Sequence, residues 1–600
     1  MFDTILDKTK SALEKTKSAV EKIEPQKRRT AGAAALVIVG GVAIVWALIP
    51  KNPAENYPVG ASAVPQDAWI AVSLSTNSGQ WEKLQKQGTA ESQKLLKQQL
   101  LELSERFLTP YGLDYQKDIQ PWVGREVMVA WLPPQVGVGA GGTSPSSGQT
   151  TVPKAKEPVV VLLPVDNQGK AKELLEKPKP LQQGQWVSRT YKDVPIREIQ
   201  GAPGENYSAA LLDNRFLAVT TDAKATERVI DTYKGGQSIA KTPGYKEAVA
   251  KIEAPDPLAR VYVNWPSATN MAAMNAVRLL PPQGKNQLQK FQGFAATVTE
   301  EPEGIRLQGI SWLKADSEKK QVVENRAKSA LSRLPADTLM MWSGSNLQRL
   351  WQDYALGAQG NPFAPMSPEW LQQGVASNTG LNWEKDLLAW MAGDFSVSLI
   401  PATPGSSTQF PAALVLMVQS NDRRSAENSL VQLDKVMSQR YKFKVEPVKV
   451  AGQPVVNWTS QYGGVTLSRG WLNGNVAFLT LGAPVAGAIS PRPKAPLVLS
   501  ESFKKAVPLE FDASNSIFFI DVELLLNSKQ FTLPQLPPVP QTLIGAIRTI
   551  GLTSSIVSER STRYEVFIHP KQEGTPGASP SPSPQPQAKP PATRSPAPSR

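Results

Sequence analysis

GLDYQKDIQPWVGREVMVAWLPP, residues 112–134, returns as GLNWEKDLLAWMAGDFSVSLIPA at residues 380–402. Lys117, Asp118, Trp122 and Pro133 of the first stretch meet Lys385, Asp386, Trp390 and Pro401 of the second. Five further blocks match in the same order. VPQDAWIAVSLSTNSGQW from Val64 answers LPADTLMMWSGSNLQRLW from Leu334, and PVVVLLPVDNQGKAKELLEK from Pro158 answers PAALVLMVQSNDRRSAENSLVQL from Pro411. LLDNRFLAVTT from Leu211, GYKEAVAKIE from Gly244 and ATVTEEPEGIRLQGISWLK from Ala296 answer WLNGNVAFLTL from Trp471, SFKKAVPLEF from Ser502 and TSSIVSERSTRYEVFIHPK from Thr553. The offset between matched blocks runs 270, 268, 253, 260, 258, 257. Its one large drop falls at the Gly/Ser/Pro-rich stretch 133–154, whose composition reads as a loop inserted in the first copy. Chance matching does not preserve block order over such a length, so the sequence reads as two tandem copies, 62–314 and 332–570.

The grammar inside a copy sets the fold class. Alternating or β-branched apolar runs predict strands at Ala68–Leu74, Glu126–Leu132, Val159–Leu163, Ala259–Trp265, Phe294–Thr299 and Ile305–Leu313. An Asp-Asn turn joins Tyr207–Leu212 to Phe216–Thr221, and helical spacing marks Glu91–Phe107, Lys170–Glu176 and Lys224–Tyr233. Hairpin-type connections predict a mostly antiparallel sheet with helices packed on one face, an α+β class. The charged run 315–331 is expected to be a helical linker.

The N-terminus predicts placement. AGAAALVIVGGVAIVWALI, residues 31–49, carries no charge. At about 1.5 Å per residue it spans roughly 28 Å, the thickness of a bilayer core. Trp46 sits where an interfacial ring belongs, and Pro50 ends the helix. Lys27, Arg28 and Arg29 precede the span, so the positive-inside rule leaves the N-terminus cytoplasmic and the copies on the other side. A cleaved signal peptide fits less well, because the first A-x-A site after the span, Ala61-Ser62-Ala63, lies a dozen residues past the apolar end. Residues 1–30 repeat DKTKSAL as EKTKSAV, an amphipathic, Lys-rich helix suited to an anionic leaflet or a short self-association stripe. Residues 571–600, rich in Pro and Ser, read as a disordered tail.

Charge and chemistry narrow the function. The net charge is +13, but residues 1–30 and 571–600 each contribute +3, which leaves +7 over the middle. Diffuse charge without interleaved aromatics argues against nucleic acid as a partner. The absence of cysteine excludes disulfides, thiol catalysis and thiolate metal sites. The one histidine, His569, occupies the place of Trp312 in the repeat and lacks companions for a triad or metal. No G-x-S-x-G occurs, and S-x-x-K at Ser317–Lys320 and Ser502–Lys505 lacks its companion signatures. Asp118 and Asp386 match across the copies. A pseudo-twofold axis could join them as paired carboxylates; the competing reading has each cap the turn before its tryptophan. No catalytic residue, cofactor or metal ligand is assigned.

VPQDAWIAVSL from Val64, GLDYQKDIQPWVGREVMVAW from Gly112 and the LPADTLMMW restart at Leu334 together resemble a family of cyanobacterial membrane-anchored proteins, a domain of unknown function. The resemblance covers roughly residues 60–570. It implies a cell or thylakoid membrane location with the ectodomain in periplasm or lumen, and it carries no active site. The expected function is a non-enzymatic, single-pass binding or scaffold ectodomain with an envelope or thylakoid protein partner. The alternatives are a carboxylate- or metal-dependent hydrolase and a lipid-handling protein.

Overall fold

The computed structural model describes residues 58–571, apart from 109–112, 135–156, 177–183, 201–206, 253, 276–287, 325, 329, 359–366, 404–409, 462–465, 473, 508–513 and 529–537. The segment 1–30, the apolar stretch 31–49 and the tail from 572 lie outside the described residues. Among those described, no helix is long and apolar enough to cross a membrane.

The first half runs β1 (Ile70–Ser75), α1 (Ser78–Gln85), α2 (Ala90–Phe107), a wide turn at Tyr115–Ile119, β2 (Glu126–Trp131), β3 (Val159–Pro164) and α3 (Gln168–Glu176). It continues with β4 (Gln185–Tyr191), β5 (Val194–Gln200), β6 (Ser208–Leu212), β7 (Phe216–Thr220), α4 (Ala223–Tyr233) and α5 (Tyr245–Val249). β8 (Ala259–Asn264), α6 (Trp265–Asn275), β9 (Phe291–Glu301) and β10 (Gly304–Leu313) complete it.

The second half repeats the plan. It runs β11 (Met340–Gly344), α7 (Leu347–Ala358), α8 (Pro368–Thr379), a wide turn at Trp383–Leu387, β12 (Phe395–Pro401), β13 (Ala412–Gln419) and α9 (Arg423–Gln439). Then come β14 (Lys444–Val450), β15 (Gln453–Thr459), β16 (Thr466–Leu472), β17 (Val476–Gly482), α10 (Ala486–Ile489) and α11 (Glu501–Ala506). β18 (Ser516–Asp521), α12 (Val522–Asn527), α13 (Pro538–Gly545), β19 (Ile547–Ser558) and β20 (Ser561–Pro570) close the chain.

Every strand pair is antiparallel. The first half is ordered β4-β5-β6-β7-β3-β2-β1-β8-β9-β10. The second mirrors it as β20-β19-β18-β11-β12-β13-β17-β16-β15-β14. β10 pairs with β20 from Ile305↔Ile568 to Trp312↔Ser561, so the two halves form one continuous sheet. Within that ladder Gln308 faces Glu565, its own counterpart at the 257-residue offset, and a local pseudo-dyad passes between them. At about 4.8 Å per strand the sheet is roughly 90 Å wide. Pro447 stands in outermost β14, where a missing N–H costs no internal ladder bond.

Helices cover both faces, which corrects the one-face expectation. Ala71 and Met128 share a core with Val229 of α4 and Tyr245 of α5, and on the same face Ile517 and Phe519 pack with Phe503 of α11. The opposite face holds Val72 with Trp81 of α1, Val127 with Ala171 of α3, and Val418 with Trp351 of α7 and Ala426 of α9. The cue lay in the strands themselves: β3 (VVVLLP) is apolar throughout, the mark of a strand buried on both sides, and β1 (IAVSLS) is buried at five of its six positions. The expected helical linker is also corrected. Residues 317–324 are irregular, with exposed Val322 and Val323. Ion pairs Lys319–Asp353 and Lys320–Glu559 and the Gln321 N–H bond to the Glu559 carbonyl hold this segment. β-branched neighbours are poor helix formers, and the sheet hairpin offers the backbone a better partner.

Candidate functional site

Asp118 and Asp386 each close their own wide turn. The Asp114 N–H donates to Asp118 Oδ2 (2.6 Å), and the Lys117 N–H donates to Asp114 Oδ1 (2.9 Å). In the second half the Asn382 N–H donates to Asp386 Oδ2 (2.7 Å), and the Lys385 N–H to Asn382 Oδ1 (2.9 Å). These are reciprocal caps. Trp122 and Trp390 then donate Nε1–H to the carbonyls of Asp118 and Asp386, at 2.6 and 3.0 Å. Nine strand positions separate β2 from β12, about 43 Å along the sheet, so the two carboxylates are not brought together.

The remaining sequence candidates also have local partners. His569 is buried and its Nδ1 lies 2.6 Å from the Glu303 carbonyl. Its counterpart Trp312 donates Nε1–H to the Pro243 carbonyl at 2.9 Å. Neither S-x-x-K brings lysine to serine: Lys320 pairs with Glu559 (3.0 Å) and Lys505 with Glu303 (3.2 Å). Among the described residues no three His, Cys, Asp or Glu are grouped to hold a metal.

Several buried charges fasten elements together. Arg469 of β16, 5% exposed, donates Nε–H to Asp434 Oδ1 of α9 at 2.8 Å, and Trp458 of β15 donates to the same oxygen at 2.7 Å. At the junction Arg306 of β10 binds Glu301 and Glu565 of β20. Burial alone would pull its guanidinium down, but the hydrogen bonds to the two carboxylates outweigh that and hold it above its usual range.

In the first half a recess lies between the sheet and α5. It measures ≈ 20 Å³, and its walls include Pro58, Met128, Ile239, Tyr245, Val249, Arg260, Tyr262 and Thr297. Arg260 Nη1 donates to Glu126 Oε2 (2.7 Å), whose other oxygen accepts the Val59 N–H (2.8 Å). Ser73 and Thr297 flank Arg260 on the two neighbouring strands. Both are buried, 1% and 6% exposed, and neither hydroxyl meets a protein partner. Tyr245 and Tyr262 stand edge to face with centroids 5.2 Å apart. Tyr262 donates to Thr242 Oγ1 at 3.3 Å, and burial pushes its phenol up to about 12. In the second half the matching positions are Ile517, Phe503 and Phe519, all fully buried, with Phe503 and Phe519 5.3 Å apart. Sequence reasoning missed this site. The available signal was Tyr245/Phe503, Arg260/Ile517 and Tyr262/Phe519, read as polar-for-apolar differences at matched positions.

A doubly covered, wholly antiparallel α+β sheet with this internal symmetry is the class of protein the geometry defines. The family model for proteins of unknown function DUF3352 matches residues 30–569, and the chain belongs to that family. No curated protein matches it. Solved structures titled as crystal forms III and IV of TP0453 are similar over 42% of this chain and about four-fifths of theirs (80% and 79%). Identity is 8% and 7% and the TM-scores are 0.23 and 0.22, values that carry no argument about fold or role.

Proposed function

We propose that this chain is a membrane-anchored, non-enzymatic binding ectodomain. In this reading residues 31–49 cross the bilayer once, the basic flank stays cytoplasmic, and the sheet presents a rigid platform to an envelope or thylakoid protein. The observation that carries it is the β10–β20 pairing, which turns two halves into one surface. The match to the family begins at residue 30, so the apolar stretch belongs to the matched region. Pro58 follows that stretch after eight residues, which reach at most about 28 Å, so the tether would hold the platform close to the lipid.

The test is mild cross-linking of the full chain in native membranes, followed by purification and metal analysis. The account expects the body to be protected from protease on the cytoplasmic side and one protein to be captured stoichiometrically. Capture should survive Asp118→Ala and Asp386→Ala. Stoichiometric, tightly held divalent metal together with a hydrolytic activity lost in those variants would replace the account with the hydrolase alternative.

A further inference from the structure

The two outermost strands are counterparts, and only one of them is protected against a further strand. β4 (QWVSRTY) and β14 (KVEPVKV) align so that Ser188 falls on Pro447, and they share one order of exposed and half-buried positions. Each runs into a two-residue turn at positive φ, Lys192-Asp193 and Ala451-Gly452. That turn fixes which backbone groups face out. Tyr191 and Val194 flank it as a hydrogen-bonded pair, so the N–H and carbonyl of Ser188 and Thr190 point away from β5. Pro195 opposite Thr190 fits this phase, as does the Ile199 N–H, which is turned to the Tyr207 carbonyl at 3.0 Å. In β14 the same outward positions are Pro447 and Lys449, and the remaining exposed position is Lys444. A proline offers no N–H, and exposed lysines resist being covered, the devices with which sheets blunt an edge. β4 carries Ser188, Thr190 and Gln185 at these places. Its one charged side chain, Arg189, is paired with Glu198 and Glu227 at 2.5 and 2.6 Å. Among the described residues no strand lies beyond β4.

We infer that β4 is a self-association edge, which pairs antiparallel with β4 of a second copy across a twofold axis at Ser188. In that register Ser188 exchanges backbone N–H and carbonyl with its twin, and Trp186 stands opposite Thr190. Arg189 stands opposite Val187, so no like charges are opposed. The protected edge decides the occupant. Pairing β4 with β14 would run head to tail into an open filament, and Pro447 with its flanking lysines opposes it; β4 on β4 closes after two copies. The chain already makes one joint of this kind, because β10 and β20 are counterparts and pair antiparallel about Gln308 and Glu565. A twofold axis also carries Pro58 of both copies to the same level along it, so both links to residues 31–49 can enter one bilayer. That last step rests on the anchored reading above; the contrast between the edges does not.

The experiment uses the full chain in detergent micelles, with native mass spectrometry for copy number and single introduced cysteines for register. The account expects a dimer. Opposed Ser188 residues lie about 5.5 Å apart between Cα atoms, within disulfide range, so Ser188→Cys should oxidise to a covalent dimer about tenfold faster than Pro447→Cys. Ser188→Pro copies the device of β14 where no β4–β5 bond is lost, and should weaken the dimer about tenfold or more with the circular dichroism of the parent. Should that proline disturb the hairpin, Ser188→Lys makes the same test through charge, its effect fading in high salt. The reciprocal Lys444→Gln/Pro447→Ser/Lys449→Thr opens β14 and should add species larger than a dimer. A monomer at every concentration, or cross-linking as fast at Pro447→Cys as at Ser188→Cys, would overturn the edge. So would a dimer as tight in Ser188→Pro and Ser188→Lys as in the parent, the result expected if residues 1–49 alone held the copies together. A monomer whose Ser188→Cys variant cross-links to a strand of another protein would also overturn it, while leaving the partner reading above intact.

Discussion

The two halves share one strand order and differ in what fills the space under the fifth and eleventh helices. The second half closes it with Phe503, Phe519 and Ile517; the first keeps Tyr245, Tyr262 and Arg260, while a buried serine without a protein partner is common to both, Ser73 and Ser343. The contrast teaches that one half can be packed for stability while its twin keeps polar groups that stability alone would discard. A second asymmetry lies where β8 and β18 end. Asn264 caps the helix after β8 through the Ser267 N–H, and Asp521 caps the helix after β18 through the Leu524 N–H.

The junction gives the largest expected effect. Arg306→Met removes the guanidinium bound to Glu565, which is 2% exposed, and should cost about 3–5 kcal/mol. Because β10–β20 joins the halves, calorimetry should also show one transition becoming two. A single transition of unchanged midpoint would mean the halves are not coupled there.

Exchanging the aromatics sharpens the contrast. Phe519→Tyr places a hydroxyl in a fully buried apolar site and should cost about 1–3 kcal/mol in urea unfolding. Tyr262→Phe loses one long bond to Thr242 and should stay within about 1 kcal/mol of the parent. Equal costs would erase the distinction between the two interiors.

The capping pair carries the pH dependence. Burial pushes the Asp521 carboxyl above its usual range, against the bond from the Leu524 N–H. The folded state therefore binds the proton more tightly than the unfolded chain. The carboxyl's contribution is most favourable below the unfolded pKa and is lost as pH rises through the raised folded value. Asp521→Asn keeps the cap and should stabilise the protein at pH 7, the gain shrinking toward zero as pH falls to the ordinary carboxylate range. Asn264→Asp should do the reverse. A gain independent of pH would contradict the assignment.

The smallest effects belong to the acidic pair. Asp118→Ala and Asp386→Ala should cost about 1 kcal/mol each as lost caps. The double variant should equal the sum, because distant sites add. A large coupling energy would mean that the two carboxylates meet.

Much of the fold was legible in the sequence, and the limits have physical causes. β6 and β7 were readable because Asp213 and Asn214 adopt positive φ at their turn, as such residues do in tight hairpins. The preceding hairpin, β4–β5, turns on Lys192 and Asp193, also at positive φ, and a Lys-Asp pair carries no comparable signal. Val322 and Val323 sit in a charged run whose helical look was overridden by the Glu559 hairpin. Double coverage of the sheet was written in the unbroken apolar run of β3, whereas period-two reasoning favours one wet face. The recess was not legible because cross-strand register decides it: Arg260 and Thr297 are far apart in sequence and become neighbours only when β8 and β9 pair.

Register at the junction tests the central claim most directly. The chain has no cysteine, so Leu307→Cys/Val566→Cys and Gln308→Cys/Glu565→Cys introduce its only thiols on two adjacent rungs of β10–β20. Oxidation of the full chain should close an intramolecular disulfide on at least one of these rungs, and none in the shifted pair Gln308→Cys/Lys571→Cys. Failure of both direct pairs, or equal closure in the shifted one, would contradict a single sheet built around Gln308 and Glu565.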